Sequence, residues 1–195
     1  MKNNNGAILS DGEIREALLS GELEVSGQFP LYIGPSSMDL HLDNKAKIIS
    51  KYIDDIPNKI IIDDKNTHDV FREENDWHII QINPGEFHLW STTESIKFPP
   101  GIAGFVQGRS SIARLGLNIH NAGFADPGFE GTITLEVTNL TSLPIIVTKG
   151  TRICQMVFIR TGKPSEIPYG KRIGSKYQGQ SGPTMTKVYE DYGTH

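Results

Sequence analysis

Between Gly108 and Glu136 the chain reads GRSSIARLGLNIHNAGFADPGFEGTITLE, and several residues in it are equipped for chemistry. Gly108 and the paired hydroxyls Ser110 and Ser111 make a turn rich in N–H and O–H donors, suited to cradling phosphate oxygens. Arg109 and Arg114 add two planar cations that hold phosphate oxygens bidentately. Asp126 sits inside GFADPGFEG, where glycine and proline dictate a tight turn that presents a carboxylate. Glu136 ends the alternating run of residues 132–136, a strand pattern that aims its side chain at one face, and with Asp126 ten positions earlier one hairpin is expected to supply both carboxylates. Anion donors, two arginines and two separated carboxylates suit acid–base chemistry on a phosphorylated small molecule.

Each of these residues also has an ordinary use. A glutamate at a strand end is commonly solvated, Ser110 can cap a helix, Arg114 can form a surface ion pair, and Asp-Pro-Gly is good turn chemistry in its own right. His120, beside the loop, reads as a packed or hydrogen-bonding histidine and stays out of the catalytic set. His41, His68, His78, His88 and His195 show no metal-ligand spacing. The single cysteine, Cys154, excludes an intrachain disulfide and a multi-cysteine zinc site. Within RICQMVF it reads as a small buried hydrophobe, not a nucleophile.

These residues must be positioned by surrounding elements. The segment SDGEIREALLSGELEV predicts a short helix, with Ser10 or Asp11 as N-cap, Glu13 in the first turn, Ile14, Ala17, Leu18 and Leu19 on the apolar face, and Gly21 as stop. From residue 23 onward, glycine and proline punctuate short β-branched and aromatic runs: 59–62, WHIIQI, FHLW and GIAGFVQG. That pattern predicts short strands in a sandwich, barrel or jelly roll. SSIARLG fits one or two helical turns capped by Ser110. Residues 43–76 are the most charged stretch and read as an exposed hairpin or insertion with little chemistry. The polar, glycine-rich segment from Ser175 would ordinarily be disordered, but the spacing of KYQGQ argues that it orders when a ligand binds.

A length of 195 residues suits one domain, and 37% hydrophobic with 22% charged residues is ordinary for a soluble globular chain. The net charge of −4 gives no pull toward nucleic acid or an anionic membrane, so positive charge for a phosphorylated ligand must be local. Arg109, Arg114 and the cluster Lys171, Arg172 and Lys176 can supply it. No run approaches a membrane span, and MKNNNGAILS is too polar for a signal peptide, so the expected compartment is cytoplasmic.

The same blocks resemble the deoxycytidine triphosphate (dCTP) deaminases, which share a superfamily with the trimeric dUTPases. The matching residues are 108–117, 121–136, LP at 143–144, GTRICQMVF at 150–158, PYG at 168–170 and GSKYQGQSGPT at 174–184. Weaker echoes are ILSDGEI, PSSMDLHL and the run 82–100, so the likeness spans nearly the whole chain in family order. It implies a single mainly β domain over 1–195, a distorted jelly roll with short helices, assembled as a homotrimer. It implies that 175–195 closes over the nucleotide. It also implies hydrolytic deamination of dCTP. The familiar nucleobase deaminases use a zinc-bound hydroxide held by a His/Cys/Cys set, and their signature is missing here. Water activation would therefore fall to a carboxylate, with no zinc. By resemblance Glu136 is the acid–base group, Ser110 and Arg114 position pyrimidine and water, and Asp126 contacts the deoxyribose and orients a water. Arg109, Ser111, Ala113, Thr134, Leu135, Gln155, Tyr169, Lys176 and Gln180 complete the substrate-binding set.

The family divides into deaminases that stop at dUTP and bifunctional enzymes that carry dCTP to dUMP, ammonia and pyrophosphate. HNAGFAD resembles the shorter loop of the bifunctional group, whereas deaminase-only members carry a His-Arg pair there. Small and apolar residues in place of an arginine leave room beside the triphosphate for a hydrolytic water. Mg2+ is expected to arrive with the triphosphate, and dTTP is the expected feedback ligand. The alternatives are a deaminase giving dUTP, a plain dUTPase, and a non-enzymatic nucleotide-binding regulator.

Overall fold

Ser10 opens the first helix. Its hydroxyl accepts the Glu13 amide, while the Glu13 carboxylate accepts the Ser10 amide at 2.8 Å. This reciprocal capping box satisfies two otherwise orphaned donors. The helix, α1 (Asp11–Leu19), buries Ile14 and Ala17, and Gly21 at φ 73° follows its end. The computed structural model describes residues 7–49, 59–62, 64–120 and 123–192. Strand dominates. In chain order the strands are β1 (Glu24–Ser26), β2 (Tyr32–Ile33), β3 (Met38–Ile49), β4 (Phe71–Asn75), β5 (Ile79–Ile82) and β6 (Phe87–Lys97). They continue as β7 (Ile102–Gly108), β8 (Leu117–Ile119), β9 (Phe124–Ala125), β10 (Glu130–Asn139), β11 (Ile145–Thr148) and β12 (Arg152–Arg160). A second helix, α2 (Ser110–Ala113), lies between β7 and β8.

Ten strands form one curled sheet in the order β8-β10-β6-β3-β12-β7-β9, with β1 on β6 and β2 and β4 on β3. Strands β5 and β11 make a separate ribbon. The corner is β3. Its first half pairs with β12 and β2, and its second half with β6 and β4. Register shifts between Leu42 and Ala46 and between Arg152 and Cys154 accompany that change of partner, the usual way a strand turns from one layer to the next. The layers close on one core, in which Leu40, Leu42, Trp90, Ile96, Leu135, Met156 and Phe158 are each 1% exposed or less. This is the mainly β, distorted jelly-roll class that the sequence implied.

Four local expectations need correction. Ser110 does not cap α2: Arg109 occupies the cap position without a side-chain hydrogen bond, and Ser110 is the first helical residue. The isoleucine run at 59–62 is no strand. Thr67 Oγ1 bonds both the amide and the carbonyl of Ile61, folding the run into a turn before a ladder can form. Residues 43–76 do contain an antiparallel pair, β3 with β4. Yet Ala46, Ile48, Thr67 and Val70 are buried, so the stretch is part of the core wall; 50–58 and 63 lie outside the described residues. Finally, the turn after Asp126 joins strands that do not pair with each other, because β9 pairs with β7 and β10 with β6 and β8. It is not a hairpin. Among the described residues no helix is long and apolar enough to cross a membrane.

Candidate active site

Strand β10 fixes the first carboxylate. Along EGTITLEVTN, Gly131, Ile133, Leu135, Val137 and Asn139 face inward, while Thr132, Thr134, Glu136 and Thr138 are half-buried on the opposite face. Glu136 therefore shares its face with Thr134, and Leu135 sends its side chain into the core. Opposite Ile133, β6 carries extra residues, and the Ile133 amide donates to Thr92 Oγ1 at 3.0 Å. Burial pushes the Glu136 carboxyl above the ordinary glutamate range, partly offset by its backbone amide and by His120. A carboxyl whose protonated form is favoured by burial is better able to hold and pass on a proton than a solvated one, which acid–base catalysis requires.

Asp126 reaches the same space from the other side. Asp-Pro-Gly-Phe is a tight turn closed by the Phe129 amide on the Asp126 carbonyl at 3.1 Å, with Gly128 at φ 91°. Only glycine fits at Gly128. A Cβ there would lie 2.5 Å from the Pro168 side chain and 2.8 Å from the Tyr169 carbonyl. The turn thereby brings Tyr169 alongside.

A cleft of about 710 Å³ collects Thr134, Glu136, Asp126, Phe124, Tyr169, Lys176 and Gln180, a size within the usual range of small-molecule sites. The segment from Ser175 forms one of its walls. Tyr169 Oη accepts the Tyr177 amide at 2.9 Å, and the Gln180 side-chain amide donates to the Thr132 carbonyl at 2.7 Å. Lys176 is paired with Asp191, which raises its pKa. Sequence reading missed Ile60, Thr67 and Phe71, which also line the cleft, together with Thr184 and Asp191. Only the non-local packing of the 3-10 turn at Lys65–Val70 brings them there: His68 Nε2 donates to the Thr186 carbonyl at 2.7 Å.

The remaining candidates lie elsewhere. Ser110, Ser111 and Ala113 on α2, and Arg114 at its C-terminal cap, are exposed, and none of them lines the cleft. Arg109 and Gln155 are half-buried beside them, at one end of β7 and on β12. Arg109 Nε stands 3.2 Å from Asp39, and Gln155 accepts from the Ser37 hydroxyl at 3.0 Å. Charge divides the same way. Among the described residues, the ionisable ones lining the cleft are Asp126, Glu136, Asp191, Lys176 and the two tyrosines Tyr169 and Tyr177. The arginines are on the other surface. Lys171 and Arg172 are exposed and outside the cleft, and His120 bonds Thr138 Oγ1 at 2.9 Å. Asn121 and Ala122 of the HNAGFAD loop lie outside the described residues, as do 193–195. Cys154 is fully buried, with its thiol pushed far above the usual range by desolvation and then by Glu94 and Asp39. Among the described residues no three His, Cys, Asp or Glu side chains gather as metal ligands.

Comparison with known proteins bears on the whole chain. The family described as dCTP deaminase-like matches residues 8–161. The "dCTP deaminase, dUMP-forming" of Methanosphaera stadtmanae is 43% identical over 95% of this chain and 96% of its own length. The protein of the same name from Corynebacterium efficiens is 41% identical over 95% and 96%. Among solved structures, the 2'-deoxycytidine 5'-triphosphate deaminase of Agrobacterium tumefaciens superposes with a TM-score of 0.61 at 24% identity, over 80% of this chain and 48% of that one. The dUTPase of Staphylococcus bacteriophage 80alpha superposes with a TM-score of 0.50 at 14% identity, over 74% and 94%; both superpositions speak to the fold. With a cleft built on a half-buried glutamate of β10, and likeness running almost end to end, the chain belongs to the dCTP deaminase-like family.

Proposed function

We infer that this chain hydrolyses dCTP to dUMP, ammonia and pyrophosphate, consuming two waters. The reading is carried by Glu136, a desolvated carboxyl facing a nucleotide-sized cleft, in a chain whose relatives are named as dUMP-forming dCTP deaminases. In the first step Glu136 takes a proton from water as the oxygen attacks C4. It passes that proton to N3, then takes the second one from the new C4 hydroxyl and gives it to the amine, so that the C4–N bond breaks, C4=O forms, ammonia leaves and dUTP remains. In the second step a water oriented by Asp126 attacks the α-phosphorus, and pyrophosphate departs. Gly123 and Phe124 line the cleft beside Asp126, which agrees with the open loop expected of an enzyme that completes both steps. Mg2+ enters as part of the triphosphate substrate.

The separation of the residues supports a site shared between copies in a homotrimer. The cleft supplies Glu136, Asp126, Thr134, the Leu135 backbone, Tyr169, Lys176 and Gln180. A neighbouring copy would supply Ser110 and Arg114 for pyrimidine and water, with Ala113 beside them. Its Arg109, Ser111 and Gln155 would meet the phosphates. A cleft whose ionisable lining is mostly acidic is a poor host for a triphosphate until those arginines arrive. The segment from Ser175 would close over the nucleotide, and dTTP, with the same triphosphate, would compete for the site.

The test is ammonia release from dCTP by the wild type and by Glu136→Gln, with nucleotide binding followed in parallel. The variant is expected to bind dCTP and to lose turnover by on the order of 10²–10⁴-fold. Unchanged turnover would remove Glu136 from its role.

A further inference from the structure

The α2 surface carries one arginine more than the substrate assignment uses. Arg152, at the start of β12, places Nη1 3.3 Å from Asp39 Oδ2, the oxygen that Arg109 Nε approaches at 3.2 Å. Arg109 Nη1 also donates to the Arg152 carbonyl at 2.9 Å, tying the two residues together. The Asp39 side chain is 9% exposed, whereas those of Arg109 and Arg152 are 24% and 38% exposed. One buried carboxylate thus faces two guanidiniums, which leaves one positive charge uncompensated at the surface.

Hydrogen-bond geometry sharpens this. Asp39 Oδ2 is buried and accepts no well-aligned hydrogen bond, although both arginines stand within ion-pair distance. Asp39 holds the two cations by charge while leaving N–H donors of their forks unspent. Holding like-charged guanidiniums together is unfavourable unless an anion compensates them. The Tyr32 ring lies 4.2 Å beneath the Arg152 guanidinium and fixes its plane. Gln155 stands directly opposite Asp39 on β3 and Gln107 on β7, so a polar row crosses three strands on this face. Arg109 then leads into Ser110 and Ser111.

We propose that Arg152 is a phosphate-binding residue that holds the outer phosphates of the nucleotide together with Arg109, and that Asp39 is the residue that positions both. This rests on reading the α2 surface as the phosphate-binding half of the site. The two guanidinium forks form a clamp for oxygens beyond the α-phosphate, where bidentate charge-assisted bonds are strongest.

The test compares binding of α,β-imido-dUTP, which cannot be cleaved, with binding of dUMP, by titration calorimetry on the full chain. Arg152→Met is expected to weaken the triphosphate analogue by about tenfold or more, the scale of one lost charge-assisted bond, and to leave dUMP unchanged. Arg152→Lys should fall between wild type and Arg152→Met, and it decides the matter if the methionine variant does not fold. Asp39→Asn should weaken the triphosphate analogue selectively. Equal weakening of both ligands would mean a purely structural role and overturn the positioning assignment. If Arg109→Met loses the preference for triphosphate while both Arg152 variants keep it, the proposal for Arg152 fails alone. If Arg109→Met keeps it too, the phosphate-face reading itself falls.

Discussion

Gln180 runs beside Gly131 in a parallel backbone bridge, its carbonyl oxygen 2.8 Å from where a side chain at Gly131 would begin. Gly131, at φ 148°, adopts a backbone conformation that residues with a Cβ rarely take. The Gly182 and Thr184 amides continue the contact, donating to the hydroxyls of Thr132 and Thr134 at 3.0 and 3.1 Å. The C-terminal wall of the cleft is thus laid on the face of β10 that carries Glu136. Gly131→Ala should lift that wall, raising the KM for dCTP by about tenfold, or ~1.4 kcal/mol, and speeding tryptic cleavage after Lys176. Unaltered KM and proteolysis would show that the bridge does not hold the segment.

The shift at Glu136 has a consequence for stability. A carboxyl raised above its ordinary value of 4.5 by burial keeps more protons in the folded than in the unfolded state, so it removes stability as pH rises through that window. Glu136→Gln should therefore melt with the wild type near pH 4 and above it at pH 8. Thermal midpoints across pH measure this, and a variant less stable at pH 8 would contradict the assigned cause.

His88 slopes the other way. It is fully buried, accepts the Trp90 indole N–H at 3.2 Å, and has its pKa lowered below 6.5 chiefly by desolvation, against the opposing pull of Glu86. The unfolded chain then binds the extra proton, and stability is lost as pH falls below the ordinary histidine value. His88→Gln should flatten the acid limb of the stability curve below about pH 6.5. An unchanged acid limb would mean that other groups govern it.

Sharing of the site between copies predicts complementation. Glu136→Gln keeps the α2 surface and Arg114→Ala keeps the cleft, so each alone should be nearly inactive. Refolded together in equal amounts, the variants should recover about one quarter of wild-type activity, since random assembly pairs an intact cleft with an intact α2 at that frequency. No recovery would place both residues in a site within one copy.

Much of this was legible in the chain. Residues 132–136 alternate, so the facing of Glu136 followed from strand periodicity alone, and Ser10 with Glu13 spelled a capping box. ADPG specified its turn locally. Ser110 misled because a serine before a short helix looks like a cap, whereas here β7 delivers Arg109 to that position. The isoleucines at 59–62 looked like strand because propensity is local, but Thr67 offered their backbone a nearer partner. The walls contributed by Ile60, Thr67 and Asp191, and the junction of Asp39 with Arg109 and Arg152, depend on strand order and register, which no local pattern encodes.

The most direct test of the account is to incubate the purified protein with dCTP and Mg2+ and resolve the nucleotides by ion-exchange chromatography over time. Coupled deamination and hydrolysis gives dUMP and pyrophosphate in equal amounts, with ammonia matching both. Accumulated dUTP would leave deamination standing and contradict the coupled second step. Untouched dCTP alongside cleaved dUTP would contradict the central assignment and make the chain a dUTPase.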